Sequence, residues 1–131
     1  MAVSAIASIL LPGGRTIHSK LHVPIELHDA SLCSITDKSA AAQLVRRCSL
    51  MVIDEVTMGD KRIYETIDRT LRHLRGQPDK AYGGVVMVYS GDWRQCLPVL
   101  EKANEAQIIA RTLKRSQLWK DVCQPFCNLL G

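Results

Sequence analysis

A chain of 131 residues has room for one ordinary domain. Its 47% hydrophobic and 23% charged content excludes wholesale disorder, and with aromatics at only 5% the core must rest on Leu, Ile, Val and Ala. A net charge of +4 permits a polyanionic partner without demanding one, and no apolar run approaches the ~18 residues that read as a membrane span. The five cysteines are scattered and form no CxxC pair, which reads as reduced intracellular thiols rather than a disulfide frame. The first residues carry no basic region ahead of an apolar core, so a secretory leader is not expected.

In chain order, Ser4 to Leu11 is a short apolar stretch that reads as a helix beginning abruptly, as though its preceding strand were missing. Pro12-Gly13-Gly14 ends it with a turn signal. Arg15 to Lys20 reads as a polar loop of hydrogen-bond donors, and Val23-Pro24-Ile25 as extended chain. His18 and His22 stand four apart, but no third ligand is spaced to complete a zinc site. Thr36 or Asp37 can cap a helix whose apolar stripe is Ala41, Leu44, Val45 and Cys48, with Arg46 and Arg47 favouring its C-terminal dipole.

Leu50-Met51-Val52-Ile53 then runs directly into Asp54-Glu55. A short apolar run without alternation predicts a strand buried on both faces, as in a parallel sheet. Ligands in open α/β sheets sit beyond the strand carboxyl ends, where the two carboxylates fall. After a loop through Gly59, Asp60 caps a helix reaching about Arg75, with Ile63, Ile67, Leu71 and Leu74 as its buried stripe. Lys61, Arg62, Arg69 and Arg72 lie elsewhere on it and read as a solvated face.

Val85 to Ser90 is the second unalternating run, followed by Gly91-Asp92-Trp93-Arg94-Gln95-Cys96-Leu97-Pro98-Val99. Strand, helix, strand is the βαβ unit, whose right-handed crossover brings both strand ends to one sheet edge. Asp54, Glu55, Asp92 and Gln95 are therefore expected to converge. Two acidic residues at such an edge suit a triphosphatase, in which one carboxylate holds Mg²⁺ and its neighbour orients water. A metal-dependent nuclease built on Asp54, Glu55 and Asp92 is the competing chemistry. Beyond Val99, Ala103 to Leu113 reads as a helix and Ser116 to Trp119 as the start of another. Pro125 argues against a further strand in the last residues.

Three blocks carry a family resemblance. Gly13 to Ser19 (GGRTIHS), Ile53 to Met58 (IDEVTM) and Gly91 to Val99 (GDWRQCLPV) resemble successive motifs of ATP-dependent DNA helicases of the Pif (petite integration frequency) type. The wording is nearest to versions carried by Helitron rolling-circle transposons. The resemblance covers about Val3 to Val122, and the last block is its most specific part.

It implies a RecA-like motor moving 5′ to 3′ on single-stranded DNA with ATP as substrate and Mg²⁺ as cofactor. Asp54 would match the Mg²⁺-coordinating aspartate and Glu55 the residue that activates the hydrolytic water. Gln95 would sense the γ-phosphate, with Asp92 supporting its loop. Thr16, His18 and Ser19 match the block associated with the DNA strand. The same resemblance implies DNA repair and recombination as the setting, in the nucleus ahead of the mitochondrion.

The departures are specific. No GxxxxGK[ST] occurs, Ala5 stands where the family prefers glycine, and the match stops at Cys123. The expected fold is α/β: an incomplete RecA-like (P-loop NTPase) parallel sheet flanked by helices. Residues 1–122 would be a partial motor domain lacking the Walker A loop, and 123–131 a divergent tail. Poor ATP hydrolysis by the isolated chain follows, and a non-enzymatic single-stranded-DNA-binding remnant is the alternative.

Overall fold

The two apolar runs form the strands they predict. Leu50–Ile53 (β1) and Val86–Tyr89 (β2) pair in parallel, with Leu50 opposite Val86 and Ile53 opposite Tyr89. This computed structural model describes residues 1–9, 13–94 and 97–122. The helices are α1 (Ala5–Ile9), α2 (Ile17–Leu21), α3 (Ala40–Arg47), α4 (Lys61–Arg75) and α5 (Glu105–Ala110).

Helix α4 is the crossover between the strands. The Asp60 carboxylate accepts from the Arg62 amide at 2.9 Å to start it, and Gly76 ends it at φ 62°. Ile63, Ile67, Leu71 and Leu74 are all buried, as their spacing predicts. Each such burial is worth about 1.5–3 kcal/mol relative to exposure. They join Met51 and Ile53 of β1 in one core that also takes in Ile17, Leu21, Val45 and Leu113.

The sheet is not buried on both faces. Met51 and Ile53 face the core, while Leu50 and Val52 are 55% and 40% exposed. Their partners Val86 and Val88 are 61% and 43% exposed on the same side. Apolar composition announced a parallel sheet correctly, but a face is buried only where another layer lies against it.

Several local expectations shift. Arg15 to Lys20 is not a polar loop throughout, because Thr16 caps α2 by accepting from the Ser19 amide at 3.2 Å. Ile17 and Leu21, four apart, then bury one side of that turn. Ser39, rather than Thr36 or Asp37, caps α3 through the Ala42 amide at 3.1 Å. Ala42 and Val45 form its buried side, and Leu44 is exposed. The expected helix over 103–113 is the shorter α5, held by a capping box between Asn104 and Gln107. The expected start at Ser116 is a 3₁₀ turn, Gln117–Asp121.

The arginines of α4 are not a merely solvated face. Arg62 donates to the Leu27 carbonyl at 2.7 Å and Arg69 to the Ser31 carbonyl at 3.0 Å, tying the preceding loop to the helix. The tail 123–131 lies outside the described residues.

Candidate functional site

The site is built on the carboxyl ends of β1 and β2. The Ser90 amide donates to the Ile53 carbonyl at 2.9 Å, and the Val56 amide donates to the Ser90 carbonyl at 3.0 Å. Asp54 and Glu55 therefore lie directly beside Ser90-Gly91-Asp92. Strand, helix and parallel strand thus bring the segments that carry those three acidic residues to one sheet edge. Gln95, expected to join them, lies outside the described residues.

The same edge extends to the other side of β1. The Asp54 amide donates to the Met1 carbonyl at 2.8 Å, and the Val3 amide donates to the Asp54 carbonyl at 3.3 Å. Ala2 is bridged in parallel to both Asp54 and Thr16. Residues 1–3 thus supply the extended segment ahead of α1 that seemed missing. They also place the start of α2 one segment away from Asp54. Burial lowers the pKa of the Met1 α-ammonium, and the neighbouring Asp54 charge opposes that shift.

Thr16, His18 and Ser19 sit together at this end, with structural tasks of their own. Thr16 is the α2 cap. His18 Nδ1 lies 3.0 Å from the Val23 carbonyl oxygen, which can only accept, so Nδ1 carries the proton and Nε2 points away. Ser19 is exposed.

Glu55 is the most unusual residue of the edge. It adopts the left-handed conformation, φ 56° and ψ 40°, which costs a non-glycine residue about 1–2 kcal/mol. Its amide donates to Asp54 Oδ1 at 2.9 Å. Among the described residues, no ion pair holds its carboxylate. The Asp92 carboxylate accepts from the Arg94 amide at 2.9 Å and from the Arg94 guanidinium at 3.2 Å.

Three residues that sequence reasoning passed over hold this loop. Fully buried Tyr64 donates from its hydroxyl to the Val56 carbonyl at 2.8 Å. A Cβ on Gly59 would come within 2.3 Å of Tyr64 Oη. A Cβ on Gly91 would sit 3.1 Å from the Val56 nitrogen and 3.3 Å from Thr57 Cγ2. The available signal was Tyr64 at three and seven residues before Ile67 and Leu71, an i, i+3, i+7 pattern. Burial pushes the Tyr64 phenol far above its ordinary range, so it remains a donor.

Among the described residues, no three His, Cys, Asp or Glu side chains group closely enough to hold a metal ion by themselves. Among the described residues a closed zinc site or an all-protein cage has no donor set. One strand-end carboxylate with an acidic neighbour suits Mg²⁺, which keeps waters and substrate oxygens among its ligands. The competing nuclease chemistry, which needs Asp54, Glu55 and Asp92 as one metal-holding cluster, lacks that cluster.

Comparison with known proteins agrees with the sequence blocks. The PIF1-like helicase family model matches residues 1–129. The ATP-dependent DNA helicase Pif1 of Psychrobacter sp. is 29% identical over 118 residues, covering 88% of this chain and 18% of that protein. Among solved structures, Bacteroides Pif1 bound to ssDNA aligns with TM-score 0.76 at 29% identity, over 92% of this chain and 29% of that one. Bacteroides Pif1 in complex with ADP-AlF3 and ssDNA gives TM-score 0.76 at 27% identity, over 91% and 28%. The chain therefore spans under a fifth of that curated relative, and its two-stranded sheet is an incomplete RecA-like fold.

Proposed function

The chain belongs to the PIF1-like helicase family, and from that premise we propose that residues 1–122 form part of the first motor domain of an ATP-driven DNA helicase. Its substrate is ATP and its track is single-stranded DNA, followed 5′ to 3′. In this reading Asp54 would hold Mg²⁺, Glu55 would activate the attacking water and Gln95 would sense the γ-phosphate, with Asp92 supporting the loop. The bound ion would neutralise charge on the phosphate oxygens. Thr16, His18 and Ser19 contact the DNA backbone, where hydroxyl and imidazole donors suit phosphate oxygens. The setting we assign is intracellular, the nucleus ahead of the mitochondrion, in DNA repair and recombination.

The observation that supports this reading is the parallel register, which carries Asp54-Glu55 and Ser90-Gly91-Asp92 to one edge. Solved Pif1 structures described as bound to ssDNA and to ADP-AlF3 support the choice of ligands. Residues 1–131 contain no GxxxxGK[ST]. Positioning and charge stabilisation supply nearly all of the catalysis in phosphoryl transfer, so without a phosphate-cradling lysine the isolated chain hydrolyses ATP at background rate.

Manganese titration followed by NMR tests the metal assignment. Mn²⁺ with ATP should broaden the Asp54, Glu55 and Asp92 amide signals, and Asp54→Asn should abolish the effect. Broadening centred elsewhere, or unchanged in Asp54→Asn, refutes the assignment. For DNA, Ser19→Ala and His18→Gln are better probes than Thr16→Ala, which would also uncap α2.

A further inference from the structure

We infer that Trp93 is a positioning residue for the strand-end site: its indole clasps the turn Asp92-Trp93-Arg94 to a platform formed by residues 111–119, which holds the segment between β2 and Gln95 in one place. The use of that segment in phosphate sensing rests on the motor reading above. The clasp itself does not.

Up to Ser90 the chain is held by β1, through the Ser90 amide on the Ile53 carbonyl and the Val56 amide on the Ser90 carbonyl. Those two bonds fix the end of β2, not the turn beyond it. Within the turn, the Asp92 carboxylate accepts from the Arg94 amide at 2.9 Å and from Arg94 Nε at 3.2 Å. These bonds shape the turn without attaching it to another element. Trp93, at its middle, makes the attachment. Its ring meets Trp119 edge-on, with centroids 5.7 Å apart and planes at 83°. The Lys114 ammonium stands 4.4 Å from the Trp93 ring centroid. Edge-to-face packing and a cation over an indole both favour defined geometries, so together they restrict where the ring sits and how it is turned.

The platform is fixed by contacts that do not involve the loop. Leu113 is fully buried and Leu118 nearly so, both in the common core. The Ser116 hydroxyl donates to Glu65 Oε1 on α4 at 2.7 Å. The Lys61 amide donates to the Arg111 carbonyl at 2.7 Å, and Arg111 Nη1 pairs with Asp60 Oδ2 at 3.3 Å. Residues 60–65 are the cap and start of α4, which the chain reaches from Glu55 through residues 56–59. The two loops of the proposed site are therefore supported by one helix start, the first through the chain and the second through Trp93. Trp93 and Trp119 are each half-buried and Lys114 is exposed, so the cluster lies at the rim of the core. Its loss should free the turn more than it loosens the fold.

The experiment is backbone-amide relaxation NMR on the full 131-residue chain. In the wild type the amides of Asp92, Trp93 and Arg94 should show heteronuclear NOE values matching those of β2. Trp119→Leu, a change on the platform and not in the loop, should lower those values toward those of a mobile chain. Amides of β1, β2 and α4 should stay ordered. Trp119→Phe keeps a ring edge for Trp93 and should preserve the order at 92–94, and Lys120→Gln, beside Trp119 but exposed, should change nothing. Should Trp119→Leu fail to fold, Trp93→Leu makes the same break from the loop side and is read at Asp92 and Arg94. Order at 92–94 that survives the Leu substitution overturns the inference, as does a wild-type turn that is already mobile. So does loss of order in Trp119→Phe or Lys120→Gln, since the ring contact would then not be what holds the turn. A role confined to core packing would lower the melting temperature and leave the order of the turn in place. The manganese experiment is separate: if Mn²⁺ fails to reach Asp54 in the wild-type chain, the motor reading falls while the Trp93 clasp is judged on relaxation alone.

Discussion

Replacing Glu55 with glycine should make the protein more stable while removing the carboxylate on which the proposed chemistry depends. Glu55 sits at φ 56° and ψ 40°, a conformation that costs a residue with a Cβ about 1–2 kcal/mol. Glycine is free of that cost, but the more flexible unfolded chain offsets about 0.5–1 kcal/mol of the gain. The expected net effect is a stabilisation of about 0.5–1 kcal/mol, which for a chain of this size raises Tm by about 2–5 °C. Glu55→Ala keeps the Cβ and hence the strain, so it should gain almost nothing. Glu55→Gln separates loss of charge from change of shape and should leave stability unchanged. Thermal melts of the four proteins at one concentration are sufficient. A Glu55→Gly chain less stable than wild type by more than about 0.5 kcal/mol would refute the reasoning, because the side chain would then be contributing contacts to the fold.

Two further predictions concern the scaffold. Arg75 donates from Nη1 to the Val45, Arg46 and Cys48 carbonyls at 2.8–3.0 Å and from Nε to the Gly83 carbonyl at 2.7 Å, closing the end of α3 onto α4. Arg75→Met keeps the apolar stem and strands those carbonyls, so urea unfolding should show a loss of about 2–4 kcal/mol with an unchanged m-value; a loss below about 1 kcal/mol contradicts the clamp. The three tyrosines should resist alkali together, since burial raises Tyr64 and Tyr82 well above the ordinary value and Tyr89 to about 12 from 10.0. A folded-state pKa raised above the unfolded one gives stability that is full below pH 10 and is lost as pH climbs through 12. Ultraviolet absorbance should therefore show tyrosinate appearing together with unfolding, and a smooth titration near pH 10 in the folded chain would contradict it.

Residues 50–55 and 85–92 show how far the primary structure reaches. Unalternating β-branched runs announced two parallel strands, and the Asp60 cap with its apolar stripe announced the crossover between them. Together these were enough to bring Asp54, Glu55 and Asp92 to one edge. Thr16 and His18 were legible as chemistry, but their roles as helix cap and carbonyl-bound imidazole depend on α2, a helix whose single turn is too short to declare itself by periodicity.

Residue order by itself announced the βαβ connection and the charge at the strand ends, because periodicity is a local property of the chain; the family came from the resemblance of three blocks and the match of the PIF1-like helicase model. Which sheet face is covered, which carbonyls the α4 arginines hold, and why Glu55 is left-handed depended on the tertiary structure. Each follows from contacts between residues far apart in sequence. The hydroxyl of Tyr64 finds the Val56 carbonyl only after α4 has folded back along the sheet, and no local pattern records where that helix comes to rest.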